Sequence, residues 1–328
     1  MPAAPRRVLI TGVSSPLGAR LALRLADDPA IEHVVGVDDR RPPPGLAGRI
    51  AFVEASLPKG DLATALKLAA PHVVVHHDVV QFPEPGRSAR SLHDLNVVGT
   101  LQLMAACGEL PGLRALVVRG SAAIYGSRAD APAFFTEELA ATSTGQSTRF
   151  QRDVAELERL VQAFARRRPA VTCLVLRLQP VIGATLDNPI MRLFRAPVVP
   201  TFLGFDPRLQ FILDDDAVGA VAAAVHAPVR GPVNVAGEGT VSLARTLHRL
   251  GKRSLPIATP LYGAAVGALA RVGGLPPLDA DVVRYLRHGR GVDTTRMRRD
   301  LGFTPGHTTA EAIDAVADGI RRQERAAA

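Results

Sequence analysis

The sequence predicts an α/β protein: a doubly wound parallel sheet followed by a smaller, irregular α/β lobe. Three observations predict it. Runs rich in Val, Ile and Leu recur through the first 178 residues with no polar alternation, which implies strands buried on both faces. Segments with apolar residues at three- and four-residue spacing separate these runs, as crossover helices between parallel strands require. After about residue 185 the regularity fades into proline- and glycine-punctuated sequence. At 328 residues the chain exceeds what one core usually organises. We therefore expect a sheet domain over residues 1–183 and a lobe over 184–328, with some segments of the lobe returning to the main sheet.

In order, the predicted strands are VLIT (8–11), HVVGVD (33–38), AFVE (51–54), HVVVHH (72–77), ALVVRG (115–120) and VTCLVLRL (171–178). The predicted helices are 17–26, 92–107 and 150–167, each with an amphipathic stripe. PPPG at 42–45 reads as a surface turn, and no internal repeat occurs.

Composition narrows the function. With 47% apolar and 21% charged residues, the chain reads as a soluble globular protein. Cys107 and Cys173 sit in apolar surroundings without metal-ligand or redox spacing, so we expect buried packing residues, no metal and a reducing cytoplasm. The longest candidate for a membrane segment, LYGAAVGALARVGGL (261–275), contains Arg271 and four glycines. It reads as a helix of the smaller lobe, with contact to a membrane surface as the alternative. The net charge of +8 comes from scattered arginines, and aromatics make up only 4% with no tryptophan, so nucleic acid is not an expected partner. A small anionic ligand such as a nucleotide suits such a surface.

The stretch VLITGVSSPLGAR (8–20) is a strand, a turn and the start of a helix. Such a turn offers unpaired N–H groups and the positive end of a helix dipole to a pyrophosphate. Gly12 and Gly18 meet the needs for a bend and a close approach. Ser15 fills the middle glycine position, with its side chain expected toward the ligand. Pro16 suits the first helical position but removes a donor. Asp38 ends the second strand about 20 residues past the last glycine, where an acid accepts bonds from an adenosine ribose. It favours NAD; Arg40 and Arg41 just beyond leave NADP open. Alternatively, the two glycines only form the turn and Asp38 caps a loop.

Taken together, TGVSSPLG, VDD (37–39), VVHH (74–77), LNVVGTLQLMAAC (95–107), GSAAIYG (120–126), RLQPVIG (177–183), FILDDDAVGA (211–220) and VDTTRMRRDLGFTP (292–305) run in an order that resembles the extended short-chain dehydrogenase/reductases. That group includes nucleotide-sugar epimerases and dehydratases such as UDP-glucose 4-epimerase. The resemblance implies a Rossmann-like dinucleotide-binding domain and NAD as cofactor. It sets Gly12, Ser15, Pro16, Leu17, Gly18, Asp38 and Asp39 along the cofactor, joined by His76, His77, Asp78, Asn96 and Ser121. Asn96 corresponds to an asparagine that pins the chain near the active site, and Pro180 and Arg208 fall at substrate positions.

The same resemblance implies a tyrosine and a lysine four residues later as the acid/base pair, with a serine binding the reacting oxygen. Ser121 matches the serine. Aligning Glu158 with the acid that follows the lysine puts Phe150 at the tyrosine and Val154 at the lysine. Neither can transfer a proton, and losing one such catalyst typically costs ~10²–10⁴ in rate. Further departures are Pro180 in place of a substrate-holding asparagine, Ser56 where an aspartate often meets adenine, and Asp78 beside the expected pyrophosphate. Tyr125 and His77 are the weak candidates for a substitute acid.

Three readings of function follow. The chain is a ligand-binding or regulatory relative, in effect a pseudoenzyme, that binds NAD and a nucleotide or nucleotide-sugar-like molecule. Or it is an active epimerase, dehydratase or reductase with non-standard acid/base groups. Or it is an interaction platform that binds no dinucleotide. The resemblance also implies a homodimer through helices 92–107 and 150–167, with Leu103, Leu157 and Leu160 on the joining faces.

Overall fold

The computed structural model of the chain describes residues 6–59, 62–81, 92–139, 148–273 and 278–327. The six predicted strands are present as β1 (Arg6–Thr11), β2 (Ile31–Asp38), β3 (Ala51–Glu54), β4 (Val73–His76), β5 (Ala115–Ser121) and β6 (Thr172–Leu178). Short strands follow: β7 (Val181–Ile182), β8 (Val198–Phe202), β9 (Arg208–Leu209), β10 (Ile212–Leu213), β11 (Gly231–Val235), β12 (Val241–Ser242) and β13 (Arg253–Ile257). The main sheet has seven strands in the order β11-β6-β5-β4-β1-β2-β3, every pair parallel. The segment from the second half that returns to it is β11, beside β6. The small strands pair as β7 with β10, β8 with β13 and β9 with β12.

Alternate side chains of each central strand enter opposite layers, because successive residues point to opposite faces. Val8 and Ile10 of β1 and Val117 of β5 join one core, and Leu9, Leu116 and Val118 join the other. The first core is covered by α1 (Pro16–Ala26), and the second by α2 (Leu62–Ala69) and α3 (Thr100–Gly108). Another helix on that second face is α4 (Arg149–Arg167). A π-helical stretch, Asp94–Gly99, leads into α3, so the predicted helix 92–107 has a widened first turn. Later come α5 (Pro189–Arg195), α6 (Asp214–His226), α7 (Leu243–Arg249), α8 (Tyr262–Gly273), α9 (Ala280–His288), α10 (Thr295–Arg299) and α11 (Thr309–Ala327). Helix α6 lies on the α1 side of the sheet, where Val218 and Val221 enter the first core.

One expectation about the helices needs correction. Leu103 and Leu157 are each 0% exposed, because the apolar stripes of α3 and α4 face the sheet. They are buried away from any subunit contact, whereas Leu160 is partly exposed.

Cys107 and Cys173 are free thiols in this same core, and burial pushes their pKa values up to about 12 and about 11. The apolar segment 261–275 forms α8 as far as Gly273; its last two positions lie outside the described residues. Among the described residues, no helix is long and apolar enough to cross a membrane. Strand order reverses direction at β1, between β2 and β4, so a crevice opens at the carboxyl ends of these strands.

Candidate functional site

The turn after β1 is held by its own chain. Gly12 has φ +75°, and its N–H donates to the Val37 carbonyl at 2.9 Å. Only glycine fits here, since a Cβ would also lie 2.9 Å from the Cβ of Asp78. A Cβ on Gly18 would collide with the Gly12 carbonyl oxygen. The Ser15 hydroxyl is engaged by its own turn, a use the sequence did not suggest. It donates to the Gly12 carbonyl at 2.8 Å and accepts from the Gly18 N–H at 3.1 Å, capping α1 with Pro16 at the first helical position. The Leu17 N–H is left out of these bonds, at the positive end of α1.

Asp38 is 5% exposed, and both its oxygens are engaged: Oδ2 accepts from the Ser14 N–H at 2.9 Å and Oδ1 from the Arg40 N–H at 3.0 Å. The Arg40 guanidinium stands 3.7 Å from the same carboxylate and 4.0 Å from Asp39. Ser14 ties the two loops together by donating its hydroxyl to the Arg40 carbonyl at 2.6 Å. A carboxylate offers about four acceptor positions, so Asp38 retains capacity for a ribose hydroxyl.

His76 is not at a ligand surface, which corrects its assignment to the cofactor. It is 0% exposed, with Nδ1 3.0 Å from Thr11 Oγ1 and Nε2 2.9 Å from Thr100 Oγ1. Thr11 Oγ1 already accepts from the His77 and Asp78 N–H groups, so its proton goes to His76 Nδ1. The ring then carries its proton on Nε2, which donates to Thr100, whose own hydroxyl donates to the Asn96 carbonyl at 2.6 Å. Burial lowers the His76 pKa to about 4. Asn96 brackets Val80, accepting from its N–H at 2.9 Å and donating to its carbonyl at 2.8 Å. This pins the chain after β4 across the end of the sheet.

His77 and Asp78 flank that pinned loop. His77 is 3% exposed and held neutral by burial and by the nearby Arg119. Its Nδ1 has no hydrogen-bond partner among the described residues.

On the β5 side, Ser121 caps a short 3-10 turn, Ala122–Tyr125, by accepting from the Ala123 N–H at 3.1 Å. Tyr125 is 4% exposed and stacks on Phe135 at 4.8 Å. Its hydroxyl donates to Asn234 at 2.8 Å and accepts from Arg177 at 2.6 Å, and burial raises its pKa. The phenol proton is thus engaged with Asn234 inside the core. Phe150 (6% exposed) and Val154 (1%) pack with Ala122, Ala123, Ile124 and Tyr125 in an apolar cluster. Helix α4 starts sharply at a reciprocal cap between Thr148 and Gln151, which fixes where both side chains point.

A cavity of about 220 Å³ gathers Ser15–Leu17, His77, Arg119, Ser121, Phe150 and Pro180. Val154 does not line it. A larger cavity of about 1060 Å³ lies between the loop after Tyr125 and helices α8 and α9, where Arg287 sits over the ring of Phe202. Arg208, exposed, lines a depression with Phe205 that adjoins the larger cavity and shares Arg287 and His288 with it. Its two-residue strand β9 pairs with β12 and directs the side chain outward.

Sequence reasoning missed Arg119 and Arg177. A charge inside an apolar strand, as in ALVVRG and TCLVLRL, was the available signal. Ser14 carried no such mark, since its role depends on loop geometry.

The chain from residue 8 to residue 236 matches the sequence profile of the NAD dependent epimerase/dehydratase family. An uncharacterized protein of Mycobacterium tuberculosis is 36% identical over 318 residues, which span 95% of this chain and 84% of that protein. Among solved structures, MoeE5 in complex with UDP-glucose and NAD aligns with a TM-score of 0.68 at 23% identity, covering 97% of this chain and 99% of that one. The UDP-glucose 4-epimerase of Thermotoga maritima with UDP-glucose aligns with a TM-score of 0.72 at 17% identity, again covering 97% and 99%. At these identities the structural likeness is one of fold.

Proposed function

The chain belongs to the NAD dependent epimerase/dehydratase family, and on that premise we propose that it binds NAD and a nucleotide-like ligand without the family's Tyr/Lys acid–base chemistry. The observation that carries this reading is the apolar packing of Phe150 and Val154, which leaves no phenol or ammonium at those two positions. Without a proton donor and acceptor beside the reacting carbon, hydride transfer is not coupled to deprotonation of a sugar hydroxyl.

The residues present suit the dinucleotide. The start of α1 with its Leu17 N–H would take the pyrophosphate, and the spare lone pairs of Asp38 would take the adenosine ribose. Bound there, NAD would supply a hydride acceptor. Ser121 would meet whatever oxygen lies next to it. The larger cavity, with Arg287 over Phe202, has the charge and the flat apolar surfaces that a nucleotide ligand needs. NADP is kept as an option by Arg40, whose guanidinium is already drawn toward Asp38 and Asp39.

Calorimetric titration with NAD, NADH, NADP and NADPH tests the reading: saturable binding of at least one supports it. A second reading, in which the fold is a platform that takes no dinucleotide, draws on Asp78 packed directly against Gly12, where its charge would oppose a pyrophosphate. Failure of all four titrations would favour it. The remaining alternative, an active enzyme with other acid/base groups, rests on Ser121. Two buried free thiols support a cytoplasmic location. A homodimer through α3 and α4 would have to use the exposed Leu101 and the partly exposed Leu160, and sedimentation at micromolar concentration tests it.

A further inference from the structure

The 220 Å³ cavity holds more hydrogen-bond donors than the protein uses. Arg119 stands near the end of β5, and its Nη1 donates to the Val79 carbonyl at 3.1 Å. Among the described residues, its other N–H groups make no hydrogen bond. His77, 3% exposed on the same wall, has the unpartnered Nδ1. The Ser121 hydroxyl accepts from Ala123 and keeps its own proton to give. Nearly all buried polar atoms in folded proteins are paired, so an orphan ring nitrogen beside an under-used guanidinium is uncommon.

Charge points the same way. An arginine stays protonated even when burial opposes it. Asp78, in the adjoining loop, is the carboxylate that acts on Arg119. Asp187, also on the cavity wall, is already bound to Arg192 through both oxygens, at 2.5 and 2.6 Å. The positive end of α1 forms another part of the wall.

We infer that Arg119, His77 and Ser121 form an oxyanion subsite on the wall of this cavity, which takes a carboxylate or phosphate group of a small ligand. The inference rests on the reading of this cleft as a ligand site. At about 220 Å³ the space falls below the ~300–1,000 Å³ of sites that enclose drug-sized molecules, so it suits one acidic group or one end of a larger ligand. A guanidinium matches such a group with two parallel N–H donors.

The test is calorimetry on the full chain at constant ionic strength, with inorganic phosphate in one series and pyruvate in another. One saturable site is expected for at least one of them. Phosphate alone would assign a phosphoryl group, and pyruvate alone a carboxylate. Arg119→Gln should weaken binding at least tenfold and His77→Phe severalfold, while Arg208→Gln should leave it unchanged. Arg119→Lys, which keeps the charge, should retain part of the affinity and serves if Arg119→Gln does not fold. The inference is overturned if the wild-type chain binds neither anion, or if Arg119→Gln binds as the wild type does; Asp78 alone then satisfies Arg119. Titration with NADH is read separately: uptake of phosphate without NADH keeps the subsite and rejects the dinucleotide, and the converse does the reverse.

Discussion

Arg177 on β6 and Glu158 on α4 form a two-pronged ion pair, with Nε to Oε1 at 2.8 Å and Nη2 to Oε2 at 2.7 Å. Both side chains are 5% exposed. The remaining arm of Arg177 reaches Tyr125, so one cation ties α4, β6 and the turn after β5 together. Glu158 lies one turn beyond Val154, and the pair therefore sets the position of the helix that carries Phe150 and Val154.

Breaking that pair from one side leaves a buried charge without its partner, which typically costs ~3–5 kcal/mol. Glu158→Gln should lower stability by that order in urea unfolding. Glu158→Leu combined with Arg177→Met should recover much of the loss. Equal losses for the single and double variants would mean that the pair is not coupled.

Gly12 answers to Asp78 and to its own backbone before it answers to any ligand. A left-handed alanine costs ~1–2 kcal/mol by itself, and here its Cβ would also meet the Asp78 side chain at 2.9 Å. Gly12→Ala should therefore destabilise the chain measurably with no cofactor present, and Asp78→Gly in that background should return little of the loss, because the Asp78 Cα and N would still lie 3.0 and 3.1 Å from the new methyl. An unchanged unfolding midpoint for Gly12→Ala would refute this.

The enclosed imidazole of His76 makes stability depend on pH. Its folded pKa lies near 4 against about 6.5 when unfolded, so between those values the unfolded chain binds the extra proton. The contribution is complete above pH 6.5 and is lost as pH falls toward 4. It amounts to ~3 kcal/mol, because each tenfold change in proton affinity is worth ~1.4 kcal/mol. His77, depressed for the same reason, acts in the same direction. Stability measured from pH 7 to pH 4.5 should fall steeply, and His76→Asn should flatten the slope. Identical slopes for the two proteins would contradict the assignment.

Phe150→Tyr and Val154→Lys should differ in tolerance. Phe150 lines the small cavity, so an added hydroxyl has somewhere to go, whereas Val154 is 1% exposed and packed on all sides. Overpacking of that kind costs ~1–3 kcal/mol, so the lysine variant should unfold first. If the rest of the site is intact, the double variant should gain some hydride transfer with a nucleotide sugar. No gain despite retained NAD binding would mean that the pocket has diverged beyond these two positions.

The central sheet was legible because strands buried on both faces leave uninterrupted apolar runs, and β1 to β6 lie on those runs. The helices α1, α3 and α4 were legible from their stripes. The outward faces were not, and Leu103 was assigned to a joining face because a stripe does not reveal what covers it. The glycines of the first turn could be read, but the inward cap made by Ser15 could not, since a short hydroxyl can serve ligand or backbone alike. His76 looked like a ligand residue until Thr11 and Thr100, distant in sequence, enclosed it. Arg119 was visible in the sequence, and only the cavity around it gave it a use.

The central claim is the absence of a proton-transferring pair beside a cleft that still receives NAD. The most direct measurement is a single-turnover experiment in which the wild-type chain, saturated with NAD, is mixed with UDP-glucose and followed for reduced nicotinamide and for epimerised sugar. The expected result is bound NAD with neither product on the timescale of seconds to minutes. Formation of either at ~1 s⁻¹ or faster, a rate ordinary for enzymes, would contradict the claim.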